Sequence, residues 1–175
     1  LEPSFISVTY GAGGSNRART VEIAARIKQQ YGMEALAHLT CVGHSRAEVD
    51  AILNNLIAEG IDNIMALRGD LPTDDIDFDL SSQDYHYAVE LIRDIRKKSD
   101  FGIAAAAYPD GHPECRRLSE DLIYIRQKVN AGADLLITQF FFDNRIYYDF
   151  LEKALRVAIN VPIIPGIMPV LNAHQ

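Results

Sequence analysis

The most informative stretch of this sequence is NIMALRGD, at residues 63–70. Its apolar residues have the length of a buried strand, and the strand ends in an arginine, a glycine and an aspartate. We therefore expect opposite charges to be buried at one end of a sheet. Two interpretations stay open at this point: a structural ion pair that closes the core, or a ligand site in which Arg68 binds phosphate and Asp70 tunes a cofactor.

Composition narrows the class of protein. The 175 residues are 48% hydrophobic and 23% charged, which is typical of one globular domain with a sizeable core. No apolar run reaches the ~20 residues that span a bilayer, and no basic and apolar leader begins the chain, so we expect a cytoplasmic protein without a membrane partner. The net charge of -7 argues against a nucleic-acid partner. Cys41 and Cys115 form no C-x-x-C motif, so neither a disulfide framework nor a metal site is predicted.

Strand and helix patterns alternate along the whole chain. The strands are nearly continuously apolar, as in parallel sheets, and most helix patterns stop at a glycine. Ser45 and Glu48 have the spacing of a capping box. Strands are predicted at 5–10, 35–42, 63–70, 103–108, 134–143 and 161–167, and helices at 20–31, 46–60, 83–98, 119–131 and 147–159.

Two loops and one aromatic run stand out. Residues 11–16 are a loop that opens into the first helix, and the acidic loop at 71–82 is predicted to be a solvated surface segment or mobile lid. A calcium loop is disfavoured there because the D-x-D-x-D-G pattern is absent. Phe140, Phe141 and Phe142 should alternate faces on the fifth strand, so at least one should point away from the helix layer.

Parallel strands joined by helices fit either an open doubly wound sheet or a barrel. The glycines at 11–14 do not have the G-x-G-x-x-G spacing of a dinucleotide-binding sheet. Polar or ring residues instead follow nearly every strand, which is how a (β/α)₈ barrel builds its site. We therefore predict an α/β fold of the TIM type, with about six consecutive β/α units in a single catalytic-barrel domain over 1–175 that is incomplete at both ends.

The strand ends resemble those of the methylenetetrahydrofolate reductase family. The resemblance covers the whole chain, and the motifs are ordered and spaced as in that family. They are SVTYG at 7–11, AHLTC at 37–41, ALRGDLP at 66–72, AAYPDGHPE at 106–114, ITQFFFD at 137–143 and IIPGIMPV at 163–170.

The resemblance implies a flavoenzyme. Members of the family bind FAD, reduce it with NADH or NADPH, and pass a hydride to 5,10-methylenetetrahydrofolate to give 5-methyltetrahydrofolate by a ping-pong cycle. It implies a general-acid glutamate and a folate-binding arginine that lie outside residues 1–175. A homo-oligomer is expected.

The resemblance also implies a set of site residues by position. Asp70, Gln139 and Thr9 would act in catalysis, and Gln139 and Gln175 would contact folate or nicotinamide. The positions that would contact FAD are Thr9, Tyr10, Ala12, His38, Arg68, Gly69, Asp70, Tyr87, Ala88, Tyr108, His112, Asp121 and Lys128.

Several of these residue types have ordinary structural explanations as well. Lys128 is either a surface cation on an amphipathic helix or a partner for diphosphate. His38 is either a core histidine or a donor to a cofactor oxygen, and Asp121 is either an early-helix anion or an acceptor for ribose hydroxyls.

Two other functions stay open from the sequence. One is a flavin-free barrel enzyme that binds a pterin; an aldolase is less favoured because no strand-end lysine suits a Schiff base. The other is an inactive fragment that binds FAD but lacks the general acid.

Overall fold

The computed structural model describes residues 2–10, 17–71 and 78–171, with only the backbone described for Arg17 and Ala18. The residues group into two compact units, Leu1–Ala104 and Ala105–Gln175. The boundary between the units falls inside a strand, β4 (Gly102–Ala107). Each unit repeats the alternation of strand and helix that the sequence predicts.

The first unit contains three strand and helix pairs before β4. Its strands pair in parallel, with Val8 opposite Ala37 and Thr40 opposite Leu67. A short 3-10 helix at Leu80–Ser82 precedes the third helix. The elements are β1 (Phe5–Val8), α1 (Arg17–Tyr31), β2 (Glu34–Thr40), α2 (Arg46–Ala58), β3 (Asn63–Leu67) and α3 (Ala88–Lys98).

The second unit continues the same alternation after β4. Its elements are α4 (Leu118–Ala131), β5 (Leu135–Thr138), α5 (Asn144–Arg156) and β6 (Ile163–Ile164). β5 and β6 pair in parallel, with Leu136 opposite Ile163. The strands follow one another in the sheet in chain order, from β1 to β6. The predicted α/β class with consecutive parallel β/α units is confirmed.

The core of the first unit lies between the strands and the helices that cover them. Ile64 and Ala66 of β3 are 0% exposed, as are Leu91 and Ile95 of α3. The crossover helices cover the sheet, so the strand residues that they contact must be apolar. None of the helices in the described ranges is long and apolar enough to cross a membrane.

The helix ends follow the predicted local chemistry. At α2, the Ser45 N–H donates to Glu48 Oε2 over 2.8 Å and the Glu48 N–H donates to Ser45 Oγ over 3.2 Å, which is the predicted capping box. Gly60 follows this helix with φ of +72°, a left-handed conformation that glycine adopts without a steric penalty.

Some predicted boundaries are wrong. The third helix begins at Ala88 rather than near residue 83, because the Glu90 carboxylate accepts the N–H groups of His86 (2.6 Å) and Tyr87 (3.0 Å) and fixes the start there. The last strand spans only Ile163–Ile164, because Pro162 and Pro165 flank it and cannot donate to a ladder. The loop at 11–16 and most of the acidic loop, 72–77, lie outside the described residues.

Alanine substitutions at two glycines should differ in their cost to stability, because one neighbouring group can move and the other cannot. A Cβ at Gly166 would collide with the backbone carbonyl of Thr138, whereas one at Gly102 would collide with the side-chain amide of Asn63. The amide can rotate but the carbonyl cannot. We expect Gly166→Ala to lower the free energy of unfolding by about 1–3 kcal/mol and Gly102→Ala to lower it by less. Urea denaturation of both variants tests this, and equal losses would contradict it.

Candidate functional site

The carboxyl ends of β1, β2 and β3 bring polar residues to one edge of the first unit. Thr9 and Tyr10 directly follow β1, and Arg68 to Asp70 follow β3. His38 and Thr40 lie among the last three residues of β2. Parallel register places Ala37 beside both Val8 and Ile64, so these strand ends are neighbours. The predicted convergence of polar strand ends is therefore present within this unit.

The segment after β3 is fixed through its backbone. The Arg68 carbonyl accepts the N–H of Cys41 over 3.1 Å and that of Val42 over 2.8 Å. Gly69 has φ of +89°, a backbone conformation that is strained for other residues. A Cβ at this position would also lie only 3.0 Å from Thr40 Cβ, which is closer than normal packing. The chain can approach Thr40 this closely because residue 69 is glycine.

The charges of this segment are less buried than the sequence suggested. The apolar part of β3 is buried, but the Arg68 side chain is half-buried and Asp70 is exposed. The expectation that both charges are buried is wrong, because the strand ends at Leu67 and the charged residues lie beyond its covered part. A half-buried guanidinium at a strand end can still meet an anionic ligand.

His38 lies within β2 and is half-buried. Burial lowers the pKa of its imidazole, so the neutral ring dominates at neutral pH. A neutral imidazole has one N–H donor and one acceptor, which suits a hydrogen bond to an uncharged ligand oxygen.

Tyr87 and Ala88 lie at the start of α3 in the same unit. Tyr87 is 60% exposed and Ala88 is buried. Glu90 binds the backbone of residues 86 and 87, and this hydrogen bonding fixes the direction in which the helix leaves the preceding segment.

In the second unit, the loop after β4 is held by a buried carboxylate. Asp121, in the first turn of α4, is 5% exposed, and its Oδ2 accepts the His112 N–H over 3.1 Å. Burial raises the pKa of Asp121, while the His112 N–H and the nearby charges of Lys128 and His112 oppose that rise. The carboxylate therefore holds the loop in place, although burial disfavours its charged form.

His112 has a defined tautomer. Its Nδ1 accepts the Glu114 N–H over 3.1 Å, so the neutral ring carries its proton on Nε2. Its ring meets the Tyr108 ring edge to face, with centroids 4.7 Å apart.

Lys128 of α4 points to the strand rather than to bulk solvent. Its Nζ donates to the Ala106 carbonyl of β4 over 2.9 Å and is half-buried. An ammonium group has three donors, and this bond fixes the position of Nζ near the carboxylate of Asp121, whose pKa the Lys128 charge lowers.

Gln139 directly follows β5 and is exposed. Its N–H donates to the Ala107 carbonyl over 2.8 Å, and its side-chain Oε1 accepts the Phe140 N–H over 3.2 Å. The side-chain carbonyl thus closes the end of the strand, and the amide NH₂ is the group left to face a ligand.

The aromatic run does not lie on a strand, so the predicted alternation of its faces is wrong. β5 ends at Thr138, because the Phe140 N–H is bonded to the Gln139 side chain instead of a neighbouring strand. Phe141 stacks on Tyr147 with centroids 5.2 Å apart, whereas Phe142 is 70% exposed.

Two predicted contacts, Ala12 and Gln175, lie outside the described residues. Sequence reasoning missed His44, which is 3% exposed and lies 3.2 Å from the Tyr10 hydroxyl through its Nε2. A histidine in a short turn after a strand gave no signal of burial. Across residues 2–10, 17–71 and 78–171, no group of three or more His, Cys, Asp or Glu side chains is arranged to hold a metal ion.

Comparison with known proteins matches the whole chain to one family. The profile of the family described as Methylenetetrahydrofolate reductase matches residues 1–175. The 5,10-methylenetetrahydrofolate reductases of Pectobacterium carotovorum subsp. carotovorum and Escherichia coli (strain K12) are each 43% identical over 175 residues, which is 100% of this chain and 57% of each relative. The chain thus spans little more than half the length of these relatives.

Solved structures support the same fold class. A crystal structure of 2,3-dimethylmalate lyase, a PEP mutase/isocitrate lyase superfamily member, matches with a TM-score of 0.64 at 15% identity. The match covers 98% of this chain and 62% of that one. At this identity the likeness concerns the fold alone, which is of the TIM-barrel type with part of the barrel in this chain.

The buried carboxyl of Asp121 should give a pH-dependent stability term. Its pKa is raised in the folded protein, so the folded state binds more protons and stability falls as pH rises above the ordinary aspartate pKa. Asp121→Asn keeps an oxygen that can accept the His112 N–H but cannot ionise. We expect this variant to gain stability relative to the unsubstituted protein between about pH 4 and about pH 7.

Urea denaturation at both pH values measures that change. The control is Asp110→Asn, which alters an exposed aspartate in the same loop. An Asp121→Asn curve that keeps the same difference from the unsubstituted protein at both pH values would contradict the prediction.

Proposed function

Because the chain belongs to the methylenetetrahydrofolate reductase family, we propose that residues 1–175 are part of the catalytic-barrel domain of an FAD-dependent enzyme. The enzyme would use NADH or NADPH to reduce 5,10-methylenetetrahydrofolate to 5-methyltetrahydrofolate. The observation that carries this proposal is the family match over 1–175, and the polar residues at neighbouring strand ends of the first unit support it.

Each unit offers a cation of the type that binds phosphate. Arg68 offers forked hydrogen bonds, and Lys128 offers a point charge whose position is fixed by the Ala106 carbonyl. Because the chain has a net charge of -7, the phosphates of a ligand must be bound by local cations of this kind. Gly69 lets the backbone that follows Arg68 pack closely against Thr40, which supports a fixed position for this segment.

The remaining contacts would hold the sugar and ring parts of the cofactor. His38 would donate from a neutral ring, and Asp121 would accept ribose hydroxyls with the oxygen lone pairs that His112 does not use. The other proposed FAD contacts are Thr9, Tyr10, Ala12, Tyr87, Ala88, Tyr108 and His112. When bound, FAD supplies the hydride relay between nicotinamide and folate.

Three residues would act on the reacting groups. Asp70 would place a negative charge beside the flavin and oppose build-up of negative charge there, so that hydride donation to folate is favoured. Thr9 would offer a hydroxyl hydrogen bond near the atom that carries the hydride. Gln139, with Gln175, would bind folate or nicotinamide, and the Gln139 side chain would donate through its amide NH₂.

The first experiment is an absorbance spectrum of the intact protein, followed by NADH or NADPH added without oxygen. Bleaching of a flavin band by either nucleotide would support the reductive half of the cycle and identify the preferred donor. A band that persists would favour an FAD-binding protein without this activity. No band after FAD is added back would refute the flavoenzyme proposal and favour a flavin-free pterin enzyme.

The charge of Asp70 can be tested directly. We expect Asp70→Asn to raise the potential of the bound flavin by tens of millivolts, since ~30 mV corresponds to ~1.4 kcal/mol in a two-electron couple. The rate of folate reduction should fall by about tenfold for each ~30 mV by which the flavin potential rises. Potentiometric titration and stopped-flow reoxidation by methylenetetrahydrofolate measure the two effects.

The matched control is Asp100→Asn. Asp100 is fully exposed and lies beyond the opposite end of α3 from Tyr87 and Ala88. It should leave the potential and the rate unchanged. An unchanged potential and rate in Asp70→Asn would remove the proposed role of this carboxylate.

A further inference from the structure

A buried histidine contacts the hydroxyl of Tyr10, the second residue after β1. His44 is 3% exposed, and its Nε2 lies 3.2 Å from the Tyr10 hydroxyl. Its Nδ1 lies 3.1 Å from the Val42 carbonyl oxygen. The two rings are tilted by 58° with centroids 5.9 Å apart, so they meet through this polar contact rather than by stacking.

The direction of both hydrogen bonds follows from the Val42 carbonyl. A carbonyl oxygen can only accept, so Nδ1 carries the proton of the neutral imidazole. Nε2 is then an acceptor, and the Tyr10 hydroxyl donates its single proton to it. The hydroxyl proton of Tyr10 is therefore directed at His44.

A second buried side chain fixes the residue before Tyr10. Thr20 of α1 is 3% exposed, and its Oγ1 donates to the Thr9 carbonyl over 3.2 Å. The backbone at Thr9 and the ring at Tyr10 are thus tied to α1 and to the turn after β2, respectively. Such support of a binding group by buried neighbours reduces the ordering cost of ligand binding.

We propose that His44 is a positioning residue for FAD binding, which acts by holding the Tyr10 side chain through its Nε2. This inference rests on the proposed function, in which Tyr10 is an FAD contact. His44 itself touches no ligand in this scheme. The proposed effect on binding passes through the Tyr10 hydroxyl, and that dependence separates it from a purely structural role.

The test is a double-mutant cycle on FAD affinity in the intact protein. His44→Asn retains a donor that can reach the Val42 carbonyl but lacks an acceptor at the position of Nε2. We expect it to weaken FAD binding roughly two- to tenfold, the range for loss of one neutral hydrogen bond. In a Tyr10→Phe background the same substitution should have almost no further effect. Quenching of flavin fluorescence measures each affinity.

Two further variants sharpen the cycle. His44→Gln places an amide near the position of Nε2 and should recover part of the lost affinity. Tyr31→Phe removes the hydroxyl of a tyrosine that is 67% exposed on α1, and it should leave FAD affinity unchanged. Thermal unfolding of every variant identifies loss of the fold, and His44→Phe, which also lacks an acceptor at the position of Nε2, replaces His44→Asn in the cycle if the latter does not fold.

The outcomes separate this inference from the function on which it rests. Equal losses from His44→Asn with and without the Tyr10 hydroxyl would overturn the positioning role while leaving FAD binding intact. Failure of the unsubstituted protein to bind FAD would overturn the proposed function, and the inference with it. Loss of affinity that disappears in the Tyr10→Phe background supports the inference.

Discussion

Parallel pairing of β1, β2 and β3 is the constraint on which the candidate site of the first unit depends. A parallel register aligns the carboxyl ends of neighbouring strands, and the crossover helices bury apolar strand residues. Polar residues from different strands then meet at or near the ends of those strands. Thr9, His38 and Arg68 come from positions far apart in the chain, and the register makes them neighbours.

Close backbone contact is the second feature on which these strand ends depend. Thr40 lies against Gly69 in the first unit, and the Thr138 carbonyl lies against Gly166 in the second. In each unit a threonine near the end of a strand meets a glycine that follows the next strand. Gly166 also donates its N–H to Thr138 Oγ1 over 2.9 Å, so this approach is held by a hydrogen bond as well as by the small residue.

Acidic and imidazole groups do much of the local positioning. Asp121 holds the loop at His112, Glu90 fixes the start of α3, and His44 holds Tyr10. No sequence motif predicted the hydrogen bonds that these groups form. Asp121 and His44 are 5% and 3% exposed, and their hydrogen bonds satisfy their own buried polar atoms, which would be costly to leave unpaired. The same contacts that stabilise the fold therefore orient the residues proposed to bind FAD.

The amino-acid sequence alone determined the fold class, the order of strands and helices, the capping box at Ser45 and the family resemblance. Those features depend on local periodicity and on residues adjacent in the chain, which the sequence displays directly. Only the tertiary structure decided that Asp70 is exposed, that Phe141 stacks on Tyr147, and that His44 is buried against Tyr10. Burial and long-range hydrogen bonds depend on which side chains meet after the strands align, and no local pattern in the chain encodes those meetings.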